Sequence, residues 1–292
     1  MDDQLIEIQQ DIPGFNNFIG SWLYRNELNV LVDVGPASTA GRLIRSLEAL
    51  GVESVDFILL THIHIDHAGG LKDLLERYPM ARVICHGEAM KFLTEPARLW
   101  KGSKKALGEI AIAYGEPQPV PKERLIPHRE NPLKDLMVIE TPGHAAHHLS
   151  FCYGNRLFIG EAGGNYSAEK GTRYLRPATP PRFFLEVYLN SVDRLLALDD
   201  QPVRFGHFGK SEHSHTLLRL HRDQILRWKE VIHGEIMKGD EGLIERSLNA
   251  LLQRDPHLTG LHGMDQDAQD REMFFLINSI KGFIGFLKET AS

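Results

Sequence analysis

The sequence is poor in cysteine, with only Cys85 and Cys152 among 292 residues. That excludes a disulfide-stapled scaffold, and both cysteines sit in short apolar runs that predict core thiols. No apolar run approaches the roughly 18 residues a membrane span needs. No long basic block occurs and the formal net charge is −6, which argues against a nucleic-acid footprint. The acidic start, Met1-Asp2-Asp3, lacks a signal-peptide pattern. These absences predict a cytoplasmic protein acting on a small molecule, with neither nucleic acid nor membrane as partner. Internal repeats and low-complexity stretches are lacking as well. The hydrophobic share of 42% and charged share of 25% are those of a globular chain.

Histidine is abundant, at 15 residues, and its placement carries the argument. The first third of the chain reads as short strands (5–8, 18–24, 29–33) around a turn at Asn26-Glu27, then a helix from an N-cap at Ser38 through Leu43, Leu47 and Leu50. Residues 56–60 (DFILL) form a nearly continuous apolar run, as expected of a strand buried on both faces. Directly after it comes Thr61-His62-Ile63-His64-Ile65-Asp66-His67. Alternation puts His62 and His64 on one side of an extended chain, and a turn into the next helix can bring Asp66 and His67 to the same point. Neutral imidazole suits zinc, iron and other transition metals.

Further candidates follow other strands. His144 lies in Thr141-Pro142-Gly143-His144, after a strand at 136–140. Glu161 ends a strand at 156–160, and His207 closes an apolar run at 203–206. Such strand-end loops are where rigid scaffolds carry functional groups. Between these points, 71–77 and 88–115 read as helical and 82–85 as a strand. The proline-bearing stretch 115–132 reads as an irregular connector. Gly154-Asn155 marks a hairpin turn between strands 148–153 and 156–160, 162–181 a Gly/Pro-rich loop, and 183–198 a helix. From Ser211 on no strand is expected, only three helices (about 211–236, 243–252 and 273–287).

The motif order resembles the metallo-β-lactamase superfamily over residues 5–210, in particular its lactonase and glyoxalase II-like branch. The family's His-x-His-x-Asp-His matches residues 62–67 in full, and its Thr-Pro-Gly-His matches 141–144. The resemblance implies an α/β fold, an αββα four-layer sandwich over residues 1–210, with a C-terminal helical extension at 211–292 packed near the active-site face. It implies two divalent metal ions, zinc first, with iron or manganese as alternatives. His62, His64 and His144 would hold one metal, and Asp66, His67 and His207 the second. Glu161 stands where the family usually has a bridging Asp, so the longer side chain leaves open whether it reaches both. Asp33, in Val32-Asp33-Val34-Gly35, and His148 would orient ligands or loops.

The activity so implied is hydrolysis of an ester, lactone or thioester by metal-activated hydroxide, with Asp66 also handling a proton. Two alternatives stay open: a mononuclear iron enzyme that oxidises a persulfide, which a changed bridging residue would suit, and a non-catalytic metal-binding or sensor protein. Tyr166, Arg173, Tyr174 and Arg176 are expected at the mouth of the site as substrate contacts. His213, His215 and His221 are expected as surface or wall residues. The last helix is too apolar for one narrow stripe, so it either docks deeply or joins two copies into a homodimer.

Overall fold

A computed structural model describes residues 2–169 and 172–290. The first half builds a six-stranded sheet. Strands β1 (Asp2–Glu7), β2 (Gly20–Arg25) and β3 (Asn29–Val32) form an antiparallel meander, and β4 (Phe57–Leu59), β5 (Arg82–Cys85) and β6 (Leu125–Pro127) continue it in parallel. Parallel pairing demands crossovers. These are α1 (Ala40–Ala49), then α2 (Ile65–Ala68) with α3 (Leu71–Arg77), then α4 (Met90–Thr94), α5 (Ala97–Leu107) and α6 (Glu109–Tyr114).

The second half contributes β7 (Met137–Glu140), β8 (Leu149–Tyr153) and β9 (Arg156–Gly160), a separate hairpin of β10 (Asn165–Glu169) and β11 (Thr172–Arg176), helix α7 (Leu185–Leu196), β12 (Val203–Phe205) and β13 (Lys210–Ser211). Its five-stranded sheet runs β13-β12-β9-β8-β7. Helices α8 (Ser214–Ile236), α9 (Leu243–Arg254) and α10 (Gln266–Thr290) finish the chain.

Strand alternation sorts the side chains into layers. Leu31, Ile58 and Val83 face the first set of helices. Val30, Val32, Leu59 and Ile84 point the other way, onto Leu149, Phe151 and Phe158 of the second sheet. Leu157, Ile159 and Phe205 then face α7, α8 and α10. The result is helices, sheet, sheet, helices: the α/β sandwich expected. Buried Asp3 clamps the two sheets together by pairing with Arg156 of β9 and Arg204 of β12.

The structure corrects several expectations. Ser38 does not cap α1, because the chain enters through a 3-10 turn at Ala37–Thr39 and Thr39 precedes the helix without a side-chain cap bond. The expected connector 115–132 contains β6, a three-residue edge strand where prolines are tolerated. The expected loop 162–181 contains the β10–β11 hairpin, whose packing partner is the distant 3-10 segment Pro256–Gly263. β13 adds a two-residue edge strand at Lys210–Ser211, where none was expected from Ser211 on. Cys85 is buried, whereas Cys152 is half-buried and its thiol lies 3.1 Å from Gln201 Oε1. The Gly154-Asn155 turn has both residues at positive φ, as such hairpins require. Helix α10 docks deeply, burying Leu276, Ile280, Phe283 and Leu287. Among the described residues no helix is long and apolar enough to cross a membrane.

Candidate metal centre

The chain leaves β4 at Leu59 and runs extended to His64, which precedes α2 with φ −59° and ψ 149°. Asp66 and His67 then fall in the first turn of that short helix. His144 arrives from the loop after β7. There Gly143 sits at φ +147°, and a Cβ on it would lie 2.9 Å from the Tyr188 Cα. Glu161 follows β9 through Gly160 at φ +50°, where a Cβ would meet His148 Nε2 at 2.5 Å. His207 follows β12. Four strand ends thus converge on two groups, His62/His64/His144/Glu161 and Asp66/His67/His207, each with ligand atoms within 4.8 Å of one another.

Outward hydrogen bonds aim the rings. His67 Nδ1 lies 2.9 Å from Asp33 Oδ2, His144 Nδ1 2.7 Å from the Ala178 carbonyl, and His207 Nδ1 3.0 Å from the Phe18 carbonyl. Each acceptor takes the Nδ1 proton and leaves Nε2 facing inward. For His62 the logic needs one more step. Thr61 Oγ1 lies 2.8 Å from Asp33 Oδ2, a pure acceptor, so the hydroxyl proton goes there. The Thr61 oxygen, 3.0 Å from His62 Nδ1, then accepts from that ring and frees His62 Nε2. Asp33, held at φ +58°, also accepts the Thr61 backbone N–H at 2.8 Å. His148 Nε2 accepts the Glu161 backbone N–H at 3.1 Å, while its Nδ1 meets Thr141 Oγ1 at 2.9 Å. Both residues therefore tie the donor-bearing loops together from outside the two groups.

The inward nitrogens face one another across a small gap, an arrangement that a bound cation would fit. His62 Nε2 and His144 Nε2 lie 3.1 and 2.9 Å from His64 Nδ1. At most one of these contacts can be a hydrogen bond donated by a neutral His64. His67 Nε2 is buried with no hydrogen-bond partner. A buried orphan of this kind costs about 1–3 kcal/mol. Imidazole and carboxylate donors converging on one pocket suit a divalent cation such as zinc, iron or manganese.

Glu161 stands between the groups. Its Oε2 is 2.8 Å from His144 Nε2, 3.5 Å from His62 Nε2 and 3.6 Å from His67 Nε2, and its Oε1 is 3.5 Å from His207 Nε2. The longer side chain reaches both halves. Asp66 Oδ2 lies 3.6 Å from His67 Nε2 and 3.7 Å from His207 Nε2. Burial holds His62 and His64 well below the usual imidazole range, and neighbouring histidines push the same way. Burial opposes ionisation of Glu161, but His144 and His207 outweigh it and hold the carboxyl well below its usual range. His67 is driven well above its usual range despite burial, by Asp66 and Asp33. The pocket favours an ionised Glu161 beside neutral His62 and His64.

The expected substrate contacts do not gather at the mouth. Pairing in the hairpin puts Asn165 opposite Arg176. Arg176 is buried beneath the site, ion-paired with Glu272 of α10. With the Asn165 amide oxygen 2.8 Å from Arg176 Nη2, its nitrogen donates to Glu161 Oε1 at 3.2 Å. Arg176 therefore supports the carboxylate rather than meeting solvent. Tyr166 and Tyr174 are buried around a neighbouring cavity with Arg271 and Glu272. Arg173 points to the opposite hairpin face, beside His257, because neighbouring strand residues alternate. His213 is exposed and His215 half-buried, whereas His221 is fully buried with Nε2 2.9 Å from the Tyr188 hydroxyl.

Residues not singled out from the sequence include Thr61, Asn165, Phe18, which stacks on His207 at 4.2 Å, and Tyr114, whose buried hydroxyl has no partner and lies at the cavity. Asn165, four positions after Glu161, was the one with a sequence signal. A carbonyl such as that of Ala178 leaves none.

Comparison with known proteins agrees with this geometry. The sequence model of the metallo-beta-lactamase superfamily matches residues 18–207. The chain is 30% identical over 229 residues to the metallo-beta-lactamase fold-containing protein ST1585 of Sulfurisphaera tokodaii, covering 73% of this chain and 83% of that one. It is 27% identical over 237 residues to a hydroxyacylglutathione hydrolase of Aliivibrio fischeri, covering 77% and 76%. The crystal structure of ST1585 from Sulfolobus tokodaii superposes with a TM-score of 0.72 at 24% identity, over 96% of this chain and 98% of that one. TTHA1429 from Thermus thermophilus, a metallo-beta-lactamase family protein, gives 0.62 at 23%, over 99% and 94%. With its family model matched across most of the chain and its histidines gathered at four strand ends, this protein belongs to the metallo-beta-lactamase superfamily.

Proposed function

We propose that the protein is a hydrolase that opens an ester, lactone or thioester bond of a small molecule at a paired divalent-metal centre, zinc being the first choice. The observation that carries this reading is Glu161, whose two carboxylate oxygens face both ligand groups at once. That placement supports a paired centre over a single-iron persulfide oxygenase. The relatives named hydroxyacylglutathione hydrolase support hydrolysis in general. The wide cavity beside the centre supports catalysis over mere metal storage.

Bound at these two groups, divalent cations supply Lewis acidity and bring the pKa of water from about 15.7 toward neutrality. The chain's own residues do the rest. His62, His64 and His144 fix one side of the reacting centre, and His67 and His207 the other. Asp66, at the cavity wall, turns Oδ2 toward His67 and His207, and its other carboxylate oxygen passes a proton between attack and departure. The Tyr114 hydroxyl offers a neutral donor to a substrate oxygen. Phe18 and Phe275 restrict bulk water on the side of His207.

The test pairs elemental analysis with turnover. Two equivalents of metal per chain and hydrolysis within an ester, lactone and thioester panel are expected. A protein holding one iron and consuming oxygen with a persulfide, or one that hydrolyses nothing when loaded with zinc, manganese or iron, overturns the reading.

A further inference from the structure

The cavity of about 370 Å³ beside the metal centre has the size of a site for a whole small molecule rather than a single functional group. Its wall away from the histidines is apolar: Phe92, Leu99, Ala106, Leu107, Pro181 and Phe275 face it. Nothing in the hydrolysis of a small polar acyl group requires such a wall. A hydrocarbon tail does, because burying it against these side chains removes both surfaces from water.

The rim carries a second signal. Helix α5 holds four cations (Arg98, Lys101, Lys104, Lys105) and no acidic residue, in a chain of net charge −6. Helical geometry separates its faces. Trp100 turns toward the core of the first half, and Leu99 and Leu107 lie between that core and the cavity. Arg98, Gly102 and Ala106 turn to the cavity. Arg98, Lys101 and Lys105, spaced i, i+3, i+7, form the edge where the cavity-facing side meets solvent. All three are exposed, and none pairs with an acidic side chain among the described residues. Lys104 lies off this edge, 5.0 Å from the Trp100 ring.

We propose that the substrate is an acyl ester or thioester with an apolar tail and an anionic, phosphate-bearing carrier: the tail lies along the α5–α10 wall and the carrier's charge meets the Arg98–Lys101–Lys105 edge. Hydrolysis splits such a molecule with one water into a carboxylic acid and the free carrier alcohol or thiol. The reaction rests on the hydrolase reading above; the binding mode does not.

Non-hydrolysable S-alkyl thioethers of coenzyme A, from ethyl to dodecyl, are titrated calorimetrically into the zinc-loaded protein, beside the same alkyl chains on an uncharged thiol. Affinity is expected to rise by up to about fourfold per buried methylene until the wall is filled. Ala106→Trp, on a cavity-facing helix position, is expected to cut the longest tolerated tail. The Arg98→Glu, Lys101→Glu, Lys105→Glu variant is expected to weaken the coenzyme A series at least tenfold and the uncharged series less than twofold, the difference shrinking at high salt. Affinity independent of tail length overturns the tail assignment. Equal losses for both series overturn the carrier assignment. So does binding of the wild type to anionic phospholipid vesicles that the triple variant loses while its thioether affinity is unchanged, since the cations then serve a membrane surface. If the thioethers bind as expected but no ester or thioester is turned over, the hydrolase reading fails and the binding site stands.

Discussion

Among the described residues, histidines with metal-capable donors gather at two places, and these are built in opposite ways. In the metal centre every ring is tied on its outer side, to Asp33, Thr61, Ala178 or Phe18, except His64, and the inner nitrogens crowd together or stand alone. The second cluster is His86, His128 and Glu140, the last of these ending β7 four residues before His144. There His128 Nδ1 accepts the Gly87 N–H at 3.3 Å and its Nε2 meets Glu140 Oε1 at 2.9 Å. His86 Nδ1 accepts the Glu88 N–H at 3.2 Å and its ring stacks on His128 at 4.6 Å. Arg129 occupies the same Glu140 oxygen at 2.7 Å. Residue types alone would give both clusters a metal. Where the outer partners sit separates them: the first cluster leaves its inner nitrogens facing one another and fit for an ion, while the second ties His128 and Glu140 to partners within the protein.

The sharpest way to break that comparison is to delete rings in each. His62→Ala with His64→Ala should abolish metal retention through desalting, while His86→Ala with His128→Ala should leave metal content at the wild-type value. Elemental analysis of both decides it, and equal losses would erase the distinction. Next comes the buried support behind Glu161. Glu272→Ala strands Arg176 without its ion-pair partner in a fully buried position, and breaking such a pair costs about 3–5 kcal/mol. Denaturant unfolding should show this; a change below about 1 kcal/mol would mean that Arg176 finds water instead.

A smaller effect is expected at Asp33. Asp33→Ala removes the acceptor of His67 Nδ1 and of both Thr61 donors. Metal affinity should fall about 10–100-fold in a chelator competition, with the ligands themselves intact. Unchanged affinity would show that the rings hold their aim without outer partners.

The smallest effect lies in the second cluster. Arg129, then His128, hold the Glu140 carboxyl down at about 2, from an ordinary 4.5. Because the folded value is the lower one, the stabilisation is complete above pH 4.5 and is lost as pH falls toward 2. Glu140 is 37% exposed, so solvent screening limits the contribution to under about 1 kcal/mol. The melting-temperature gap between wild type and Glu140→Gln should narrow across that window. A gap that stays constant or widens on acidification would contradict the ion pair.

The sequence by itself determined the donor-rich run at 62–67, the further candidates His144, Glu161 and His207, and the two αβ halves. Those features are local: hydrophobic period fixes strands and helices, and a dense set of donors after a strand is visible without knowing where the strand goes. It also yielded Asp33 and His148 through family resemblance. Only the tertiary structure decided that Glu161 lies between both ligand groups, and that Arg176 is held by Asn165 and Glu272 beside it. The same holds for the deep docking of α10 and for the cationic edge of α5 at the cavity rim. These depend on which elements pack together across long stretches of chain, as Arg176 and Glu272 do at a separation of 96 residues. The direction of a side chain on a hairpin face, or the carbonyl that turns a ring, is set by contacts no local pattern encodes.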